Sequence, residues 1–142
     1  HAEFDALVAR THTAGLKAII DFVPNHVARA YTADSKPQGV QDFGTRDDNS
    51  VHFHPQNNFY YLPGQSFVPP QGHTVWPDAA AVAYVEVPAR ATGNDHFTPA
   101  PGTHDWFETV KLNYGVDITS GGKTYFDPVP DTWVNMRDML SL

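Results

Sequence analysis

The distribution of proline and glycine constrains the fold of this chain more than any other feature of its sequence. Of the 12 prolines and 10 glycines, 11 and 9 respectively lie between positions 27 and 130. Proline fixes φ and removes a backbone donor, so this stretch cannot form long helices or central sheet strands. A connection this long indicates a functional excursion or a small subdomain rather than a plain loop. We expect an irregular insertion with short extended pieces, at residues 51–54, 59–62, 82–87 and 105–112.

Regular structure is predicted on either side of this insertion. Apolar residues recur at helical spacing over residues 3–14, and Gly15 is placed to end that helix. Residues 16–23 form a short apolar, β-branched run closed by Pro24, which predicts a parallel strand buried on both faces. Asp131 can cap a second helix, and the chain stops there without a Gly or Pro signal, so we expect a helix that is cut. Helix, buried strand and helix together predict an α/β fold.

Charge and composition narrow the class of ligand. The net charge of −7 argues against binding to nucleic acid or to an anionic membrane surface, since both require clustered Lys or Arg. No run approaches the roughly 18 apolar residues that cross a bilayer. The chain has no cysteine, so it has neither a disulfide framework nor thiolate chemistry. Neutral or cationic ligands fit this charge better. Aromatic residues make up 13% of the chain, and their faces can stack on apolar or sugar rings.

Three polar residues, Asp21, Asn25 and His26, stand at the carboxyl end of the predicted strand, where barrel enzymes place their sites. This segment closely resembles the third strand of the α-amylase superfamily, which reads as an apolar run, Asp, two or three apolar or small residues, then Asn-His. A second segment, Thr-Val-Lys-Leu-Asn at residues 109–113, resembles the short motif near the end of the family's domain B, and Trp106 precedes it. The two motifs and their order identify the resemblance.

The resemblance covers the whole chain and implies its architecture. Residues 1–26 would be a barrel helix and the third barrel strand, residues 27–130 domain B, and residues 131–142 the start of the following barrel helix. The expected fold is thus a partial (β/α)8 barrel segment with a long β-containing insertion. The remainder of the barrel would be its partner, because the strand alone would expose apolar edges. The implied parent is a secreted or periplasmic retaining glycoside hydrolase acting on α-1,4-glucans such as starch and maltooligosaccharides.

Individual roles follow from the same resemblance. His26 looks like the histidine that binds the hydroxymethyl group of the glucose at the cleavage point, and Asn25 looks like a calcium ligand. Asp21 looks like a structural carboxylate, and Lys111 and Asn113 are expected to be structural as well. Lys111 stands where many relatives carry a calcium-binding Asp, and its ammonium would repel the ion. The alternative is that Asp, Asn and His serve only as turn or capping residues after a strand.

The aromatic residues and the histidines each leave two interpretations open. The aromatic side chains form either a stacking platform for glucose rings, with Tyr60 and Trp106 on the substrate, or a small buried core. The set comprises Phe59, Tyr60, Tyr61, Trp76, Tyr84 and Trp106. Five histidines are either zinc ligands or exposed loop residues, namely His52, His54, His73, His96 and His104.

The chain lacks the carboxylate pair that glycoside cleavage requires. Retaining glycosidases use two carboxyl groups about 5–5.5 Å apart, and the family takes them from later strands. Arg46-Asp47-Asp48 formally matches the family's nucleophile motif but lies in a polar stretch typical of a surface loop. We therefore predict that the chain contributes substrate binding and does not hydrolyse starch by itself. The alternative is a non-catalytic carbohydrate-binding module that uses surface aromatics.

Overall fold

A computed structural model describes residues 2–33, 35–75 and 84–140 of the chain. The first predicted helix is confirmed as α1, Ala2–Thr13. It ends where Gly15 adopts a φ of +71° and where the Leu16 amide donates back to the Thr11 carbonyl at 3.1 Å. A left-handed glycine with such a backward bond satisfies the last free carbonyls of a helix. No residue of α1 is buried, so this helix lies outside the core.

The strand predicted at residues 16–23 is wrong. The segment has no regular structure, and its five large apolar side chains are exposed, Ile19 by 94%. A parallel strand needs hydrogen-bonded neighbours on both sides and a layer over each face. No segment among the described residues pairs with residues 16–23, so the apolar side chains of this segment are not buried.

Three short antiparallel pairs replace the predicted parallel architecture. The expected partial (β/α)8 barrel is therefore wrong, because the described residues contain neither a parallel pair nor a closed sheet. Strands of two or three residues are what the spacing of proline and glycine permits, and the result is a small mixed domain. The pairs are β1 (His26–Ala28) with β4 (Thr109–Lys111), β2 (Tyr61–Leu62) with β3 (Ala89–Arg90), and β5 (Val116–Asp117) with β6 (Lys123–Thr124).

The extended pieces predicted inside the insertion have mixed outcomes. Residues 59–62 contain β2, and residues 105–112 contain β4, and a bridge between Phe59 and Leu112 joins the two regions. Residues 51–54 form bends and coil, so a strand there is wrong. Of the piece at 82–87, residues 84–87 form no strand, and residues 82 and 83 lie outside the described part of the chain.

The second helix is confirmed as α2, Asp131–Met139, although its cap differs from the prediction. Pro130 occupies the N-cap and offers no side-chain bond, while Asp131 lies in the first turn, where a carboxylate interacts favourably with the helix dipole. Thr132 is fully buried and accepts a bond from the Asn58 amide at 3.2 Å, which ties α2 to the insertion. Neither described helix has the length and apolar character needed to cross a membrane.

The core consists of two apolar clusters with one buried charged network. The first cluster contains Leu62, Phe67, Val75, Ala89 and Phe107, and the second contains Phe59, Tyr61, Val110 and Leu112. Beside the first, the fully buried Arg29 donates to Glu86 Oε1 at 2.5 Å and to the Phe107 carbonyl at 2.7 Å. Burial lowers the pKa of Arg29, and the nearby Glu86 carboxylate partly opposes that effect. A guanidinium can occupy this position because its N–H groups also donate to the Arg90 and Thr109 carbonyls at 3.2 Å and its central carbon lies 4.1 Å from the centre of the Phe67 ring.

Candidate functional site

The pairing of β1 with β4 places two of the predicted site residues on one surface. His26 stands opposite Lys111, and the next pair, Val27 and Val110, points the other way into the core. Side chains alternate across a ladder, and directly opposed residues share a face. His26 and Lys111 therefore lie side by side on the outer face of this ladder, which we call the His26 face.

Trp106 lies against the imidazole of His26. The two ring centroids are 5.2 Å apart in an edge-to-face arrangement, and 47% of Trp106 remains exposed. Its backbone is held at both ends, since its amide donates to Asn94 Oδ1 at 3.1 Å and its carbonyl accepts from the Thr109 hydroxyl at 2.9 Å. With its backbone held at both ends, Trp106 offers solvent an aromatic surface next to a polar ring.

Asn25 fixes the tautomer of His26. Asn25 Oδ1 lies 2.6 Å from His26 Nδ1, and an amide oxygen can only accept, so Nδ1 carries the proton. In the neutral ring, Nε2 is then left as an acceptor. The Asn25 backbone is held as well, because its carbonyl accepts from the Leu112 amide at 3.0 Å.

The same contacts decide how well this site suits calcium. Calcium takes six to eight oxygen ligands, and Asn25 Oδ1 is already engaged by the His26 N–H. Lys111, the cation on the same ladder face, forms an ion pair with the Asp95 carboxylate. These residues suit a divalent cation poorly, because the Asn25 amide oxygen is already bonded to His26 and the Lys111 ammonium lies against the Asp95 carboxylate.

The remaining predicted site residues lie elsewhere. Asp21 is exposed and makes no hydrogen bond or ion pair with any described residue. Asn113 is fully buried, and its amide donates to the His54 carbonyl at 2.9 Å. Tyr60 is 1% exposed, and its hydroxyl donates to the Val116 carbonyl at 2.7 Å. Burial raises the pKa of Tyr60, and the ring has no open face for a sugar in this structure.

The structure also bears on the two interpretations of the aromatic residues and of the histidines. Phe59, Tyr60 and Tyr61 belong to the interior, whereas Trp106 keeps an exposed surface; Trp76 lies outside the described residues. Across residues 2–33, 35–75 and 84–140, no three His, Asp or Glu side chains lie close enough together to hold a metal ion. Among the described members of this set, the structure thus favours a core for Phe59, Tyr60 and Tyr61, with Tyr84 packed against the first apolar cluster and Trp106 exposed on one side.

The loop Arg46-Asp47-Asp48, predicted as a surface loop, is hydrogen-bonded to the interior through Asp47. Asp47 accepts hydrogen bonds from the amides of Asn58 and Phe59 at 2.8 and 3.0 Å and from the Tyr61 hydroxyl at 3.0 Å. Burial raises the pKa of the Asp47 carboxyl, and these bonds partly oppose that rise. Asp47 therefore holds the start of the Phe59–Leu62 segment and is not positioned as a nucleophile facing solvent.

Sequence reasoning missed the turn at residues 92–96, which supports the His26 face. Asn94 holds the backbone of Trp106, and Asp95 pairs with Lys111. Gly-Asn-Asp is a turn signal that the sequence did display, but nothing in it showed that this turn would meet residues 26 and 106.

Comparisons with known proteins give one partial similarity. No family model matches the chain, and no solved structure matches it. The chain is 34% identical over 64 residues to a protein named Maltase 1 from Drosophila virilis, a match that covers 39% of this chain and 10% of the maltase. The chain thus spans about a tenth of the length of the curated relative it matches. The similarity points to a glycoside hydrolase, and it covers too little of either protein to place the chain in the α-amylase superfamily.

Proposed function

We propose that this chain binds an α-glucan at the His26 face and supplies substrate binding to a glycoside hydrolase. The observation that carries the proposal is the half-exposed Trp106 packed 5.2 Å from His26. Sugar sites combine an aromatic surface, which covers the apolar face of a pyranose, with polar groups that bond its hydroxyls. The partial similarity to a maltase supports a glucan as the sugar.

His26 would act as a hydrogen-bond acceptor in this site. Because Asn25 holds the proton on Nδ1, the lone pair of Nε2 is the atom that a sugar hydroxyl would meet. Asn25 is thus a positioning residue, and His26 is the contact.

We expect binding without cleavage because the carboxylates near the His26 face are already bonded to other groups. Asp95 is paired with Lys111, and Asp105 is bonded to His96 at 2.8 Å and to the Gly102 amide at 2.6 Å. A retaining mechanism needs one free nucleophilic carboxylate and one proton donor across the bond. We expect the 142-residue chain to release no glucose from maltoheptaose, and measurable turnover would contradict this part of the proposal.

Calcium is not part of the proposal. Asn25 Oδ1 is bonded to His26, and Lys111 contributes positive charge to the same face, so the ion would meet one weak ligand and a repulsive neighbour. The melting temperature of the chain should be the same in calcium and in EGTA. A calcium-dependent rise that is lost in Asn25→Ala would show that the ion binds there.

The test is titration of the chain with maltoheptaose by calorimetry, together with chemical-shift mapping. We expect a dissociation constant on the order of 1 mM and a loss of about tenfold or more, close to 1.4 kcal/mol, in Trp106→Ala and in His26→Ala. Trp133→Ala is the matched control, because Trp133 is 53% exposed but lies on α2 against Tyr114. Loss of binding in Trp133→Ala alone would move the site to α2 and refute the proposal.

A further inference from the structure

The turn at residues 92–96 is folded tightly and is seated on the His26 face. The Thr92 amide donates to the His96 carbonyl at 3.1 Å, and the Asp95 amide donates to the Thr92 carbonyl at 3.0 Å. Asp95 has a φ of +71°, the one positive value among the non-glycine residues described. A side chain held in this region of backbone space is an observation that points toward function, although Asp tolerates it better than most residues.

Gly93 lets the turn approach the ladder closely. A Cβ added at Gly93 would lie 2.9 Å from His26 Cβ and would also collide with the Thr109 hydroxyl. The Gly93 amide donates to that same hydroxyl at 3.2 Å, which fixes the distance between turn and strand. Asp95, two residues further on, is therefore carried to the side of His26 by rigid contacts.

Asp95 completes a charged pair on this face. Its carboxylate pairs with the Lys111 ammonium, and Lys111 stands opposite His26 in the ladder. The Asp95 side chain is 62% exposed, and Asp95 Oδ2 has no hydrogen-bond partner among the described residues. The Asp95 carboxylate is thus open to solvent on the surface that also presents His26 and Trp106, whereas the Lys111 side chain beneath it is 20% exposed.

We propose that Asp95 and Lys111 bind two adjacent hydroxyls of the sugar that contacts His26 and Trp106, an inference that rests on the proposed function. A vicinal diol can donate from one oxygen and accept at the next, which matches a carboxylate placed beside an ammonium. Charge-assisted bonds of this kind are shorter and stronger than neutral ones. The pair would therefore select pyranoses that carry both hydroxyls.

The competing explanation is that the pair only ties the turn to β4. Exposed ion pairs contribute little to stability, and the turn is already held by Gly93, Asn94 and Thr92. Removing the Asp95 charge should therefore leave the melting temperature within about 2 °C of the wild type. Sugar selectivity separates the two explanations, because a structural tie has no preference among hydroxyls.

The experiment measures the affinity of the 142-residue chain for methyl α-maltoside and for its monodeoxy analogues by calorimetry. Asp95→Asn keeps the size of the side chain and its tolerance of positive φ, and Lys111→Met removes the donor. We expect each variant to bind the parent sugar about tenfold more weakly. For one analogue lacking a contacted hydroxyl, we expect wild type and Asp95→Asn to bind equally. Lys36→Met, which removes another surface cation paired with Asp42, is the control and should bind as wild type does.

Each outcome decides between the explanations. Wild-type affinity in Asp95→Asn, while Trp106→Ala loses binding, would overturn the diol contact and leave the proposed function standing. An equal loss for every deoxy analogue would assign the pair to support of the turn and would also overturn the inference. Absence of binding by the wild-type chain itself would refute the proposed function and the diol contact together.

Discussion

Replacing Glu86 by Gln tests whether the buried charged network holds the domain together. The Glu86 carboxylate accepts five hydrogen bonds, one from Arg29, one from Tyr84 and three from Arg90, at distances from 2.5 to 3.1 Å. The Arg29 side chain is completely buried, and the Arg90 side chain is 16% exposed. In Glu86→Gln, the adjacent guanidinium groups of Arg29 and Arg90 lose the carboxylate that both of them contact and face an amide that brings its own donors.

The expected loss in unfolding free energy is about 3–5 kcal/mol, the usual consequence of leaving a buried charge without its partner. With a urea m-value of about 1–3 kcal/mol/M, the midpoint should fall by at least about 1 M. Chemical unfolding followed by tryptophan fluorescence measures this change, and an unaltered m-value is required to interpret it as stability. Tyr84→Phe, which removes a bond to Glu86 at 2.7 Å and a bond from Arg90 at 3.0 Å but keeps the carboxylate, is a milder variant and should cost about 1.5 kcal/mol.

Lys36→Gln is the control, because it also removes one partner of an ion pair but at the surface. Lys36 Nζ lies 2.7 Å from Asp42 Oδ2, and the two side chains are 30% and 26% exposed. Solvent screens such a pair, so the loss should be at most about 1 kcal/mol. If Glu86→Gln costs no more than Lys36→Gln, the argument that Glu86 compensates two buried cations fails.

Three further predictions concern other positions. Burial raises the pKa of Asp47 in the folded protein above its unfolded value of 3.8. The contribution of Asp47 to the free energy of unfolding is therefore complete below pH 3.8 and is lost as the pH rises through the folded-state pKa. Urea midpoints should therefore show the advantage of wild type over Asp47→Asn shrinking above about pH 4, and an advantage that grows with pH would contradict this sign. Gly44→Ala should destabilise the protein by about 2 kcal/mol more than Gly64→Ala. Both glycines have a positive φ, but a Cβ at Gly44 would lie 2.7 Å from the Phe59 ring, whereas nothing lies within 4 Å of a Cβ at Gly64. Equal melting temperatures of the two variants would exclude the clash. Tyr60→Phe should lower stability by about 1 kcal/mol and leave maltoheptaose affinity unchanged, whereas weakened sugar binding would restore Tyr60 as a substrate contact.

Local signals in the sequence predicted both helices and the extended pieces that contain β2 and β4. The apolar spacing over residues 3–14 and the glycine at 15 gave the first helix to within one residue at each end, because a left-handed stop residue has a direct sequence signature. The strand at residues 109–111 lay inside a predicted extended piece. The scarcity of long elements between 27 and 130 followed from proline chemistry alone.

Long-range relations were not predictable from the same signals. The apolar run at residues 16–23 has the composition of a buried strand, but burial depends on partners that the described residues do not provide. Arg29 and Glu86 are 57 positions apart, and each reads in sequence as an ordinary surface charge. Within the candidate site, Asn25, His26, Trp106 and Lys111 were singled out from motif resemblance and do come together, whereas the role of Asp95 depends on a turn that only the three-dimensional structure brings to this face.

The antiparallel pairing of β1 with β4 has a consequence for how this chain could change during evolution or in design. Residues paired across that ladder are 81 to 85 positions apart, from Ala28 with Thr109 to His26 with Lys111, yet they are adjacent in space, so the polypeptide leaves the ladder beside the point at which it entered. Opposed backbones in such a ladder are only about 4.5–5.5 Å apart, the width of an ordinary hairpin. Segments with adjoining ends are readily lengthened, shortened or exchanged, because their flanks need not move. New loops grafted between residues 30 and 105 could thus alter what surrounds a ligand while the ladder stays in register.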